Sequence, residues 1–199
     1  MIEKEINTSA PIHQLLSKRW SGVAYDSSKN VSDADIRAVA EAARWAPSCF
    51  GDEPWRYLIC NKNNNPEAWQ KSFNCIAEGN QPWSQHAPVL IIACHDTLLS
   101  KNDKANNWGQ YDTGAASISM CLQASELGLM THQMAGFKPD QARESFNIPE
   151  RYKPIAIISL GYQLPKHEIP EAFKQREMTP RSRKPIEQRF FANTWGEGL

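Results

Sequence analysis

The chain reads as an α+β fold in which helices pack around a mixed or antiparallel sheet, followed by a long C-terminal extension. Three observations predict this. Segments with helical spacing, such as Ile36, Val39, Ala40 and Ala43, occur beside strand-sized apolar runs such as Val89-Leu90-Ile91-Ile92-Ala93-Cys94. Regular βαβ alternation with glycine-rich turns is absent. Beyond residue 162 the periodicity breaks down among prolines and charges until the aromatic end Phe190-Phe191-Ala192-Asn193-Thr194-Trp195. The 199 residues are expected to form one domain, 1–199, with its core at about 12–162. Residues 163–199 then form an extension that wraps a second subunit.

Residues 11–17 read as a short helix with Ile12, Leu15 and Leu16 on one face, and 18–26 as a loop. Ser32 is the N-cap of a helix over 33–46, with Asp35 completing a capping-box-like arrangement and Pro47 ending it. Residues 55–61 form a strand. Pro66 opens a helix that carries Trp69, Phe73, Ile76 and Ala77 and ends near Gly79-Asn80. The run 88–95 is the central strand, 96–107 a polar loop, and 108–127 the long core helix, with Gly128 as C-cap. Its small residues Gly114, Ala115, Ala116 and Ser119 allow another backbone close. A strand at 130–134, a turn at 135–137, a helix from Pro139 to Phe146 and a strand at 155–161 complete the core.

Lys+Arg and Asp+Glu are each 22, so the net charge is zero and a global nucleic-acid or anionic-membrane binder is disfavoured. No apolar run reaches the roughly 18–20 residues of a membrane span, and no signal peptide is evident. The five cysteines are scattered without a C-x-x-C pair, which supports neither a zinc site nor a disulfide framework and suits a reducing cytoplasm. The five histidines show no metal-ligand spacing. Walker A, G-x-G-x-x-G and G-x-S-x-G patterns are missing.

Several stretches can carry chemistry. Arg19 and Ser21, two apart in a loop, place a guanidinium and a hydroxyl where both can meet an anionic oxygen cluster, although a solvated arginine explains them too. Arg181-Ser182-Arg183-Lys184 is a second such cluster or plain surface charge. Asn80 offers an amide that can read a heterocycle edge or finish a helix. Ala135-Gly136 permits close approach to a flat ligand or ends a strand. Ser48 or Cys49 could serve as a nucleophile, but no base follows at fixed spacing.

Taken in order from Ile12 to Gly196, these segments resemble the nitroreductase family of FMN-dependent oxidoreductases. The resemblance rests on Lys18-Arg19-Trp20-Ser21 with Ala24-Tyr25-Asp26, on Ala42-Ala43-Arg44-Trp45-Ala46-Pro47-Ser48 leading to Pro54-Trp55-Arg56-Tyr57, and on Asn80. It also rests on the helix from Asp112 to Leu129, and on Arg181-Ser182-Arg183-Lys184-Pro185-Ile186-Glu187 with Asn193-Thr194-Trp195-Gly196. It implies a nitroreductase-like homodimer with FMN at the subunit interface. Arg19, Ser21, Arg181 and Arg183 would hold the phosphate, Trp20 would be a further cofactor-binding residue, and Pro47, Ser48 and Cys49 of the other subunit would lie against the isoalloxazine. Asn80 would address the pyrimidine edge. The backbone of Met134, Ala135 and Gly136 would reach flavin N5 and O4, so no side-chain acid or base is required.

The implied activity is hydride transfer from NADH or NADPH through the flavin to a small acceptor such as a nitroaromatic or a quinone, in ping-pong order. Phe50, Trp83 and Trp108 are the candidate walls of the acceptor pocket. The chain departs from the family pattern at Val23, where many relatives carry a basic residue that would add a phosphate contact, and at Gly51, Glu53 and Ala135. Two rivals are a flavin- or partner-binding protein of the same fold without turnover, and an unrelated hydrolase using Ser48 or Cys49.

Overall fold

The computed structural model describes residues 2–199. Four strands form one sheet in the order β1-β2-β4-β3, with β1 at Trp55–Asn61, β2 at Val89–Asp96, β3 at Met130–Met134 and β4 at Tyr152–Gly161. Every pairing is antiparallel, so of the two expected sheet types the antiparallel one is found. The helices are α1 (Gln14–Lys18), α2 (Asp33–Arg44), α3 (Pro66–Asn74), α4 (Gln81–Ser84), α5 (Gly109–Glu126), α6 (Pro139–Phe146) and α7 (Glu171–Met178).

The sheet is covered on both faces, which is why β2 is a continuous apolar run rather than an alternating one. Leu90 and Ile92 face Trp69 of α3, Trp83 of α4 and Ala142 of α6. Val89 and Ile91 face Val39 of α2 and Ala116 and Met120 of α5. All eight residues of β2 are buried, each large aliphatic one contributing about 1.5–3 kcal/mol. β4 begins three residues earlier than its apolar run. Pro154 is accommodated in it where the register with β2 shifts between Ala93 and Cys94.

The α2 start follows its sequence signal: Ser32 Oγ accepts the Asp35 amide at 3.0 Å and donates to the Asp35 carboxylate at 2.7 Å. The helix from Pro66 is shorter than expected, ending at Asn74 instead of near Gly79-Asn80. Ile76 bridges to Phe137 and the Ala77 amide donates to Gly136 O, so pairing with the turn after β3 displaces further helical bonds. The segment 96–107 is organised by a Leu98–Ala105 bridge. Gly128 ends α5 with φ +74, the left-handed conformation expected of its cap. Among the described residues, no helix is long and apolar enough to cross a membrane.

The segment after β4 has more structure than its broken periodicity predicts. It runs beside 24–26, with Leu164 N donating to Ala24 O and Tyr25 bridging to Gln163, and then forms α7.

Candidate cofactor site

A cavity of about 490 Å³ opens between the loop after α1 and the segment after α7. Its lining includes five cationic side chains, Lys4, Arg19, Arg176, Arg181 and Arg183, together with Trp20 and Ser21, and no carboxylate. The two arginine clusters singled out from sequence, some 160 residues apart, are thus brought to one cavity. Arg19 follows α1, where its amide caps Leu15 O, and its guanidinium lies 3.4 Å from Ser21 Oγ. Arg183 is exposed and donates only to the neighbouring Ser182 O, at 2.8 Å.

The Arg181 guanidinium is engaged by the main chain. Its terminal nitrogens donate to Arg19 O (2.9 Å), Lys4 O (2.8 Å) and Ser17 O. Its Nε is buried with no partner. Burial lowers its pKa, and Arg19 and Arg183 lower it further. The Lys4 pKa is also lowered, by burial first; Glu177 opposes this and Arg181 adds to it. An anion seated here would relieve the crowded cations and occupy the orphaned Nε–H, so the residues present fit a phosphate.

Trp20 lines the cavity but is 4% exposed; its indole N–H donates to Ile2 O at 2.9 Å and the Lys4 ammonium lies 3.9 Å from its ring centroid. It is a floor under the cavity. Val23, where the family pattern has a basic residue, is wholly buried in the sheet-face core.

At the end of β3, Met134 is buried while Ala135 and Gly136 are exposed. Asn80 Nδ2 donates to Gly136 O at 3.4 Å, and a Cβ on Gly136 would stand 2.8 Å from that nitrogen. Asn80 and Gly136 therefore form one edge, as separate sequence signals did not require.

Pro47, Ser48 and Cys49 do not line the cavity. Their loop rests on α5 through the Cys49 amide, which donates to Asp112 at 2.8 Å, and Ser48 Oγ accepts the Glu53 amide at 3.1 Å. Phe50 is 75% exposed, with the Lys101 ammonium 3.5 Å from its ring centroid. Trp108 is exposed and meets Tyr111 edge-on. Trp83 is not an open wall: it is 3% exposed, between Tyr25 and His132, because α4 turns it onto the sheet.

Sequence reasoning missed Lys4 and Arg176 in the lining, and His132 and Glu177 behind it. His132 Nδ1 lies 3.0 Å from Gly22 O, and Arg176 sits 5.8 Å from the Trp83 ring. A helix assigned over 171–178 would have drawn attention to Arg176 and Glu177, but its apolar pattern is too weak to signal one.

A solved structure described as an oxidoreductase containing FMN superposes with a TM-score of 0.87 at 29% identity, over 96% of both chains. A protein of Archaeoglobus fulgidus, whose name pairs NADH dehydrogenase with NAD(P)H nitroreductase, is 28% identical over 150 residues, 73% of this chain and 82% of its own length. The major NAD(P)H-flavin oxidoreductase of Aliivibrio fischeri is 28% identical over 102 residues, 51% of this chain and 44% of its own length. The protein is an oxidoreductase by class. The sequence profile of the nitroreductase family matches residues 16–162, and the chain belongs to that family.

Proposed function

We propose that the protein is a homodimeric, FMN-binding enzyme that passes hydride from NADH or NADPH to a small nitroaromatic or quinone, in two half-reactions with one substrate leaving before the next enters. The observation that carries this reading is the carboxylate-free cationic cavity with the buried, unpartnered Arg181 Nε. Bound FMN supplies the two-electron carrier between donor and acceptor. Arg19, Ser21, Arg183 and the Arg181 Nε–H hold its phosphate. Asn80 addresses the pyrimidine edge, and the main chain at Met134, Ala135 and Gly136 offers its polar groups to the ring. Pro47, Ser48 and Cys49 of one protomer wall the site of the other.

The outward face of α5 supports the dimer. Tyr111 and Ile118 are exposed on it, with Gly114 and Ala115 between them, and Ile12 and Leu16 near α1 are also exposed. Residues 163–199, which carry the exposed Trp195, embrace the second subunit, so the whole chain 1–199 works as one unit. Five free thiols suit a reducing cytoplasm.

An anaerobic visible-spectrum titration of purified protein with NADH and with NADPH tests the reading. Flavin absorbance bleached by one donor and restored by a quinone or nitroaromatic is expected. Protein that neither carries nor takes up FMN overturns it. Bound flavin that neither donor bleaches favours a flavin-binding protein without turnover.

A further inference from the structure

Glu177 on α7 is fully buried, and no Lys or Arg pairs with it among the described residues, although five cations line the cavity it backs. Its carboxylate is held by N–H donors instead. Oε1 accepts the main-chain amides of Val23 and, at 3.2 Å, Ala24; Oε2 accepts Gln163 Nε2 at 2.7 Å. Gln163 is itself oriented by the Ile2 amide, which donates to its Oε1 at 2.6 Å. A buried carboxylate without a counterion persists only when such donors satisfy it.

Four residues further on, Arg181 grips the other end of the same stretch, through Ser17 O and Arg19 O. Arg19 and Ser21 are therefore strung between two side chains of one C-terminal segment. The carboxylate takes amide hydrogens on the C-terminal side, and the guanidinium takes carbonyl oxygens on the N-terminal side. The tether is short and dry: a Cβ added at Gly22 would collide with Met130 Sδ and stand 3.2 Å from Glu177 Oε1.

We propose that Glu177 is the positioning residue of the anion-holding loop: by binding the Val23 and Ala24 amides it sets where Arg19 and Ser21 present their donors to the cofactor phosphate. This rests on the reading of the cavity as the FMN phosphate site. Without the carboxylate, two main-chain N–H groups lose their buried acceptor and the loop must move to satisfy them. The phosphate contribution to binding falls, while contacts to the ring system, made elsewhere, remain.

The test compares FMN with riboflavin, which lacks the phosphate, on flavin-free protein. Wild type is expected to prefer FMN strongly. Glu177→Ala is expected to lose about tenfold or more in FMN affinity with riboflavin affinity nearly unchanged, so the preference collapses. Glu177→Gln, which keeps one oxygen acceptor, is expected to restore most of it. Hydrogen exchange of flavin-free Glu177→Ala is expected to quicken across 17–24 and not in β2.

A Glu177→Ala protein that keeps the wild-type FMN preference overturns the proposal. So does one that weakens FMN and riboflavin equally, because that is the mark of general destabilisation. Should Glu177→Ala not fold, Glu177→Asp decides: its retracted carboxylate lowers the FMN preference if the proposal holds, and an unchanged preference overturns it. Wild type that does not distinguish FMN from riboflavin defeats the reading of the cavity itself. Unchanged exchange across 17–24 in flavin-free Glu177→Ala defeats the tether whatever the cavity binds.

Discussion

The Cys49 main-chain amide donates to the Asp112 carboxylate at 2.8 Å, fastening the loop after α2 to the first turn of α5. The loop needs fastening. Phe50 and Glu53 both hold positive φ, 58° and 46°, a conformation that disfavours side chains. Asp52 adds a second anchor by accepting the Ser100 amide at 2.9 Å and Asn106 Nδ2 at 3.2 Å.

Asp112 is 4% exposed, so Asp112→Ala strands a strained loop and removes a charge-assisted bond. The expected loss is about 2 kcal/mol, and Asp112→Asn, which still offers an oxygen, loses about half of that. Urea-unfolding midpoints at one fixed protein concentration measure both.

Trp83 and the exposed aromatics should separate stability from acceptor binding. Trp83→Ala is expected to cost about 3–5 kcal/mol, with Trp83→Phe much milder because the indole N–H is buried without a partner. Phe50→Ala and Trp108→Ala are expected to change stability by less than about 0.5 kcal/mol and to raise the acceptor KM. Denaturation and steady-state assays with two acceptors read the contrast.

Stability should fall at mildly acid pH through His132. Burial lowers its pKa below the ordinary 6.5; its bond to Gly22 opposes this, and Arg176 and Arg19 reinforce it. The unfolded chain takes up a proton near pH 6.5 and the folded chain does so only lower. Stability is therefore full above about 6.5 and declines as pH drops toward the folded pKa, by at most about 1.4 kcal/mol per pH unit. His132→Asn is expected to flatten that slope, read from unfolding midpoints between pH 7.5 and 5 on the order of half a unit apart.

Gly136→Ala should act on the cofactor more than on the fold. The added Cβ meets the movable end of Asn80, 2.8 Å away, so the side chain swings off the edge at a cost of under about 1 kcal/mol. FMN and riboflavin affinities are expected to fall together, by about tenfold, in fluorescence titrations of flavin-free protein. A drop confined to FMN would contradict the placement of Asn80 beside the ring.

The elements built on local signals were legible in advance. Ser32 and the Ile36, Val39, Ala40, Ala43 spacing marked α2, and the apolar run 88–95 marked β2, because capping and burial leave their pattern within a few residues. The α3 end was not legible, since the bridge from Ile76 to Phe137 joins positions 61 apart and overrides helix propensity. Arg19, Ser21, Arg181 and Arg183 could be picked out by residue type, but their meeting in one cavity could not be derived from spacing.

What the sequence determined by itself was the fold class, the family pattern and the kinds of side chain available to hold an anion. The tertiary structure alone decided their duties. It put Trp83 in the core, turned the Arg181 terminal nitrogens onto carbonyls, and buried Glu177 against amides 153 and 154 residues away. Such roles depend on which unsatisfied donor or acceptor the folded chain delivers to each side chain, and contacts at that separation leave no period in the sequence.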